Sequence, residues 1–202
     1  MARAVGTDMT DMTSLIAKSC VRTTDVLAAV EDDQLGGSTP CERLALSELV
    51  AHLGGLGVAF AAAARKDLGE LTGVPPGDSG YRLDPDWRTR YPGNLAGLAE
   101  AWRDPTAWEG MTQVGGVDLP AEVCGMVGLT EVVIHGWDVA VATGRDYGVD
   151  DDVAEALLAH MTAFTAGGPV EGLFGAPVDV GSRASAFDRV LALSGRDPGW
   201  RH

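Results

Sequence analysis

Apolar residues recur at helical spacing in five or six stretches of the chain, and the breaks between them fall on glycine and proline. Leu15, Ile16, Val26, Leu27 and Val30 predict a first helix from about Met9 to Ala29, with Asp8 or Thr10 to cap it. Gly36, Gly37 and Pro40 then break the chain, and Cys41 to Leu68 reads as a second helix. Its apolar stripe is Leu46, Leu49, Val50, Leu53 and Leu56, and His52 falls inside that stripe. Residues Gly69 to Pro92 read as a long irregular loop, of the kind that serves as a lid or is disordered. A short third helix is expected from Leu95 to Trp102. Gly115-Gly116, between Met111–Val114 and Val117–Leu119, predicts a small hairpin.

The fourth helix, Ala121 to Thr143, is the most apolar and stops at Gly144. Asp150 or Asp151 caps a fifth helix to about Phe164, and a glycine-rich crossing leads to a last helix, roughly Ala184 to Leu193. The expected fold is therefore all-α, a helical bundle with one small β-hairpin, in a single domain spanning 1–202.

Composition narrows the setting. The 202 residues are 46% hydrophobic, enough for one sizeable core. No uninterrupted apolar run reaches the roughly 18 residues that a membrane span needs, and Met1 to Asp11 has no basic flank before an apolar segment. A cytoplasmic protein is expected. The 29 acidic against 15 basic residues give a formal charge of −14, which disfavours nucleic acid and anionic membranes as partners. Cys20, Cys41 and Cys124 are odd in number and widely spaced, which suits reduced thiols rather than a disulfide framework. A small-molecule partner remains, with the chain acting as a monomer or homodimer.

Candidate chemistry sits on two of the helices. Glu131 and His135 are four residues apart, so both leave the same face of the most apolar helix. A carboxylate there is costly unless paired or bound to a cation. His52 poses the same question among Leu49, Leu53 and Leu56. Two packed helices about 8–10 Å apart can bring such side chains together around a divalent metal. The competing reading is a self-paired Glu–His face and a satisfied core histidine. His160, without an acidic partner at ligand spacing, and the terminal His202 read as bystanders.

Cys124 would lie about 10 Å along the helix from Glu131, too far to ligate yet near enough to line a pocket. Cys41 is expected to be further still from His52. Asp138 could hold the other ring nitrogen of His135, cap a neighbouring element or pair with Arg145. Trp137 reads as packing. Gly54, Gly55 and Gly57 signal either close helix packing or room for a bulky cofactor.

The segment Thr130-Glu131-Val132-Val133-Ile134-His135-Gly136-Trp137-Asp138-Val139-Ala140-Val141-Ala142-Thr143-Gly144 resembles the signature helix of the mycothiol-dependent maleylpyruvate isomerase metal-binding domain family, part of the DinB-like four-helix bundles. Thr39-Pro40-Cys41 leading to Glu48-Leu49-Val50-Ala51-His52-Leu53 agrees, as does Phe187-Asp188-Arg189 leading to Gly195-Arg196-Asp197-Pro198. The resemblance implies metal ligation by His52, Glu131 and His135. Leu44 stands where relatives usually carry Trp. The chain is also expected to lack the extra C-terminal domain of the maleylpyruvate isomerase itself, which leaves that enzyme's own reaction open. Arg189 and Arg196 read as salt-bridge anchors of the last helix.

Two imidazoles and one carboxylate leave a coordination position open, as in catalytic zinc sites. The resemblance favours zinc, while nickel or iron suits the same ligands. It also implies mycothiol, a cysteine-containing sugar cofactor, as the thiol activated there. The leading expectation is a metal-dependent mycothiol transferase or isomerase acting on an electrophilic small molecule. The alternatives are a small-molecule binding or resistance protein without turnover, and a bundle whose metal is only structural.

Overall fold

Four long helices surround the core in the computed structural model, which describes residues 9–75, 77, 80–167 and 174–201. They are α1 (Met9–Ala28), α2 (Leu46–Arg65), α4 (Trp87–Ala101) and α5 (Ala121–Ala142). Helices α1 and α2 each pack against both α4 and α5, so the four form a ring around a single apolar core. Leu49, Leu53, Phe60, Leu95, Leu98, Trp102, Leu129 and Ile134 fill it and are almost wholly buried. The indole N–H of Trp102 donates to the Phe60 carbonyl, and that of Trp108 to the Trp102 carbonyl, so both large rings enter the core with their polar atoms satisfied.

Helix α2 begins at Leu46 rather than at Cys41. The Thr39 hydroxyl and a Leu44-to-Cys41 backbone bond fold residues 39–44 into a turn. The helix then starts at Ala45, whose N–H is taken by the Glu48 carboxylate. It ends at Arg65 because Lys66 adopts a left-handed conformation, φ +58.

The expected 69–92 loop is shorter than its composition implies. A one-turn helix α3 occupies Glu70–Gly73, and α4 starts at Trp87 with Pro92 in its second turn. The ring there removes one backbone N–H without ending the helix. Positions 76, 78 and 79 of that loop lie outside the described residues, as do His202 and 168–173 of the glycine-rich crossing.

The hairpin forms as expected from β1 (Met111–Val114) and β2 (Val117–Pro120), antiparallel with Val114 opposite Val117. Gly115 and Gly116 both have positive φ, as a two-residue turn of this hand requires. Thr112 pins it to α2 by donating to the Ala63 carbonyl. Helix α6 (Asp151–Phe164) starts after Asp150, and α7 (Ala186–Leu193) starts after Ser185, whose Oγ accepts from the Asp188 N–H while the Asp188 carboxylate accepts from the Ser185 N–H. These two helices pair with each other beside the bundle.

Helices α2 and α5 are each long and apolar enough to cross a membrane by length and composition alone, although neither holds an uninterrupted apolar run of about 18 residues. In the fold, 67% and 83% of their apolar windows are buried against other elements, so both are core helices.

Two of the glycines after His52, Gly54 and Gly57, allow close helix packing. A Cβ at Gly54 would overlap the Tyr91 ring on α4, and one at Gly57 would lie 2.9 Å from the Asn94 carbonyl carbon. Gly55 faces open space. Gly54→Ala is therefore expected to destabilise the protein by about 1–3 kcal/mol. Gly55→Ala should instead be neutral or stabilise by up to about 1 kcal/mol. Urea denaturation of the two variants checks the contrast.

Candidate metal centre

The interface of α2 and α5 brings His52, Glu131 and His135 together. Each is at most 9% exposed. Glu131 Oε2 lies 3.3 Å from His135 Nε2 and 3.8 Å from His52 Nε2, and the imidazole rings are 5.0 Å apart, nearly perpendicular. One donor atom from each residue falls within 4.8 Å of the others, close enough to share a cation.

Asp138 orients this set. Its carboxylate is fully buried, and Oδ2 accepts from His135 Nδ1–H at 2.9 Å. That bond turns Nε2 toward Glu131. Of the roles open to Asp138 the structure selects this one, and the residue pairs with Arg196 rather than Arg145. Arg196 donates Nη2–H to Asp138 Oδ2 at 3.0 Å and Nη1–H to the Ser194 carbonyl. Arg145 instead donates to the Thr143 carbonyl. Arg196 thus anchors the segment after α7, as its sequence context implied, but does so at the site; Arg189 is exposed.

Charge is balanced within the cluster. Burial works against the charge on Glu131, yet the hydrogen bonds and charges of His135 and His52 outweigh it and hold the carboxyl below its ordinary range. Burial likewise works against charge on His135, but Asp138 and Glu131 raise its pKa to about 9. His52 is pushed down, mainly by burial. Asp138 is also buried, and Arg196 and His135 keep it ionised.

The triad opens into a cavity of about 550 Å³, walled by the 40–44 turn, Tyr81, Phe174–Ala176 and Ser194–Arg196. Leu44 is part of that wall. The Cys41 thiol also lines it, and its sulfur comes within 4.8 Å of donor atoms of His135 and Asp138, though it does not join the triad. The distance expected for Cys41 assumed one continuous helix, whereas Cys41 lies in the turn that folds back over the site. Cys124 is fully buried in the core and does not line the cavity. Burial pushes its thiol up to about 12. Trp137 is buried packing, and His160 stacks on Phe164 along α6, away from the triad.

The family model described as the mycothiol maleylpyruvate isomerase N-terminal domain matches residues 16–140. The chain belongs to this family. The match includes His52, Glu131, His135 and Asp138, while Arg196 lies beyond it. Two uncharacterized proteins of Mycobacterium tuberculosis, from strains CDC 1551 / Oshkosh and ATCC 25618 / H37Rv, are each 28% identical over 147 residues, 68% of this chain and 70% of theirs.

The crystal structure of a mycothiol-dependent maleylpyruvate isomerase superposes with TM-score 0.69 at 20% identity, covering 98% of this chain and 94% of that one. A histidine-to-alanine mutant of such an isomerase gives TM-score 0.70, also at 20% identity, over 97% and 92%. The all-helical DinB-like bundle is thus shared by this family member and those structures. In both comparisons the likeness of fold extends over nearly the whole of each chain.

Sequence spacing missed Cys41 and Tyr81. No periodic signal marks either residue, because each reaches the cavity from an irregular segment.

The protonation pattern has a consequence for metal-free protein. His135, at about 9, stands above its ordinary 6.5, so its stabilisation is complete below about pH 6.5 and is lost as pH rises through about 9. Glu131 and Asp138 are depressed, so their contribution holds above the ordinary carboxylate range and is lost as pH falls. The urea midpoint of chelated protein should therefore decline from pH 6.5 to 9, and His135→Asn should remove that decline. An unchanged midpoint across this interval in the parent protein contradicts the assignment.

Proposed function

We propose that this single-domain protein is a metal-dependent enzyme that activates a thiol, mycothiol, against an electrophilic small molecule, as a transferase or isomerase. The observation that carries the reading is the His52–Glu131–His135 triad at the floor of a cavity large enough for a small organic ligand. The donor set fits a divalent cation, namely two imidazoles with Nε2 directed at one carboxylate, all nearly buried. Zinc suits it, and so do nickel and iron. A bound divalent ion would keep a coordinated thiol or water deprotonated near neutral pH.

The chain's own residues divide the remaining work. Asp138 holds the proton at His135 Nδ1 and so keeps Nε2 free to ligate. Arg196 neutralises Asp138 and closes one side of the cavity. Burial of the triad restricts access by bulk water. The sequence relation supports mycothiol as the thiol, since the family and the solved structures are named for mycothiol-dependent maleylpyruvate isomerases. Three free cysteines fit a reducing cytoplasm.

Untagged protein should carry one divalent ion per chain, and His52→Ala should lose it. Asp138→Asn should weaken metal affinity by about 10- to 100-fold. Mycothiol consumption with a panel of electrophiles should stop on chelation and on Glu131→Gln. Absence of stoichiometric metal, or unchanged metal content in His52→Ala, sinks the reading. Tight ligand retention without thiol consumption would instead mark a non-catalytic binding protein. Chelation that lowers only the melting temperature would mark a structural metal.

A further inference from the structure

One wall of the cavity is an aromatic ring fixed from two directions. The Tyr81 ring lies 4.7 Å from the His52 imidazole, centroid to centroid, at 55°, and lines the cavity. Its hydroxyl accepts from the Gly77 N–H and donates to the Gly77 carbonyl, each at 3.1 Å. The preceding residue, Gly80, has φ +87 and donates its N–H to Glu48 Oε1 at 3.2 Å. The other oxygen of Glu48 accepts from the Ala45 N–H at the start of α2. Glu48 is four residues before His52, so one helix face carries both the histidine and the carboxylate that ties the ring over it.

Metal ligation requires none of this. Glu48 and Tyr81 contribute no donor to the triad, yet four hydrogen bonds combine to keep one ring beside His52. A cysteine-sized thiol would fill only a corner of about 550 Å³. The remainder of a bulkier thiol needs a surface to rest on. Tyr81 and Phe174 are the phenyl-type rings in the wall, and Tyr81 is the one set against a triad residue. A sugar presents a C–H face that packs on an aromatic ring, while its hydroxyls need polar neighbours such as Glu42 and Arg43 in the same wall.

We propose that Tyr81 is the platform for the sugar of a sugar-bearing thiol, and that Glu48 is the positioning residue that holds the platform over His52. The proposal rests on the thiol reading above and names the surface that tells mycothiol from a simple thiol.

The test is binding, not turnover. Co²⁺-loaded full-length protein is titrated with mycothiol and, separately, with cysteine, following the thiolate-to-cobalt absorption. Co²⁺ uptake reports on the triad in each variant. Tyr81→Ala should weaken mycothiol by about tenfold and cysteine by less than about twofold. Tyr81→Phe, which keeps the ring, should stay within about threefold of the parent for both thiols. Glu48→Ala should follow Tyr81→Ala in direction, and Glu48→Gln, which keeps an acceptor for Gly80, should restore the preference. Equal losses for both thiols, or an unchanged mycothiol affinity in Tyr81→Ala, overturn the platform. If the parent protein takes up Co²⁺ but neither thiol, the thiol reading itself fails and the platform falls with it.

Discussion

The buried carboxylate of Asp138 is the constraint on which the site depends. It has no exposure to water, so it must be matched from within the protein, and it is matched twice. His135 lies on one side and Arg196 on the other. The first contact fixes which imidazole nitrogen faces the triad. The second ties the chain after α7 to the middle of α5, which makes Ser194–Arg196 a wall of the cavity. Removing either partner would leave a buried charge uncompensated, at a cost of about 3–5 kcal/mol. The backbone around Arg196 is shaped for this contact. Gly195 has φ +83 and lies so close to Gly175 that a Cβ would fall 2.8 Å from its Cα. Only glycine fits that turn, and the turn is what returns Arg196 to the bundle.

The same reasoning explains why the triad suits a cation. Glu131 is buried between two imidazoles, and positive charge on its partners keeps it ionised. A proton held on His135 meets that need in the absence of metal, and a divalent ion in its place would meet it with one more positive charge. Any cation bound there would compete with that proton for His135, so stability and cation affinity would be coupled through one residue.

How much of this was legible in sequence follows from where periodicity operates. Glu131, His135 and Asp138 lie on one 22-residue helix, and His52 lies within the apolar stripe of another, so spacing and burial selected all four. The helical bundle and the Gly-Gly hairpin followed from the same patterns. The errors cluster where the pattern stops. Cys41 was extrapolated along a helix that begins only at Leu46, and Pro92 was taken to end a loop although α4 accommodates it. Average hydropathy and uninterrupted runs also disagreed for α2 and α5, because polar residues such as His52 and Glu131 interrupt helices that are otherwise apolar.

That division has a physical basis in what each part of the chain must do. The helices carry donor atoms whose relative placement tolerates little error, and a rigid i, i+4 spacing on packed helices supplies it. The cavity walls come from the 40–44 turn, Tyr81, Phe174–Ala176 and Ser194–Arg196, all irregular backbone. Such segments can change length and side chain without moving the bundle core. Leu44 lies in one such segment: a change there alters the space above the triad while the helix positions stay set by their own packing. The triad and the cavity wall are therefore under different constraints: packed helices hold His52, Glu131 and His135, while wall residues such as Tyr81 and Leu44 shape the space above them.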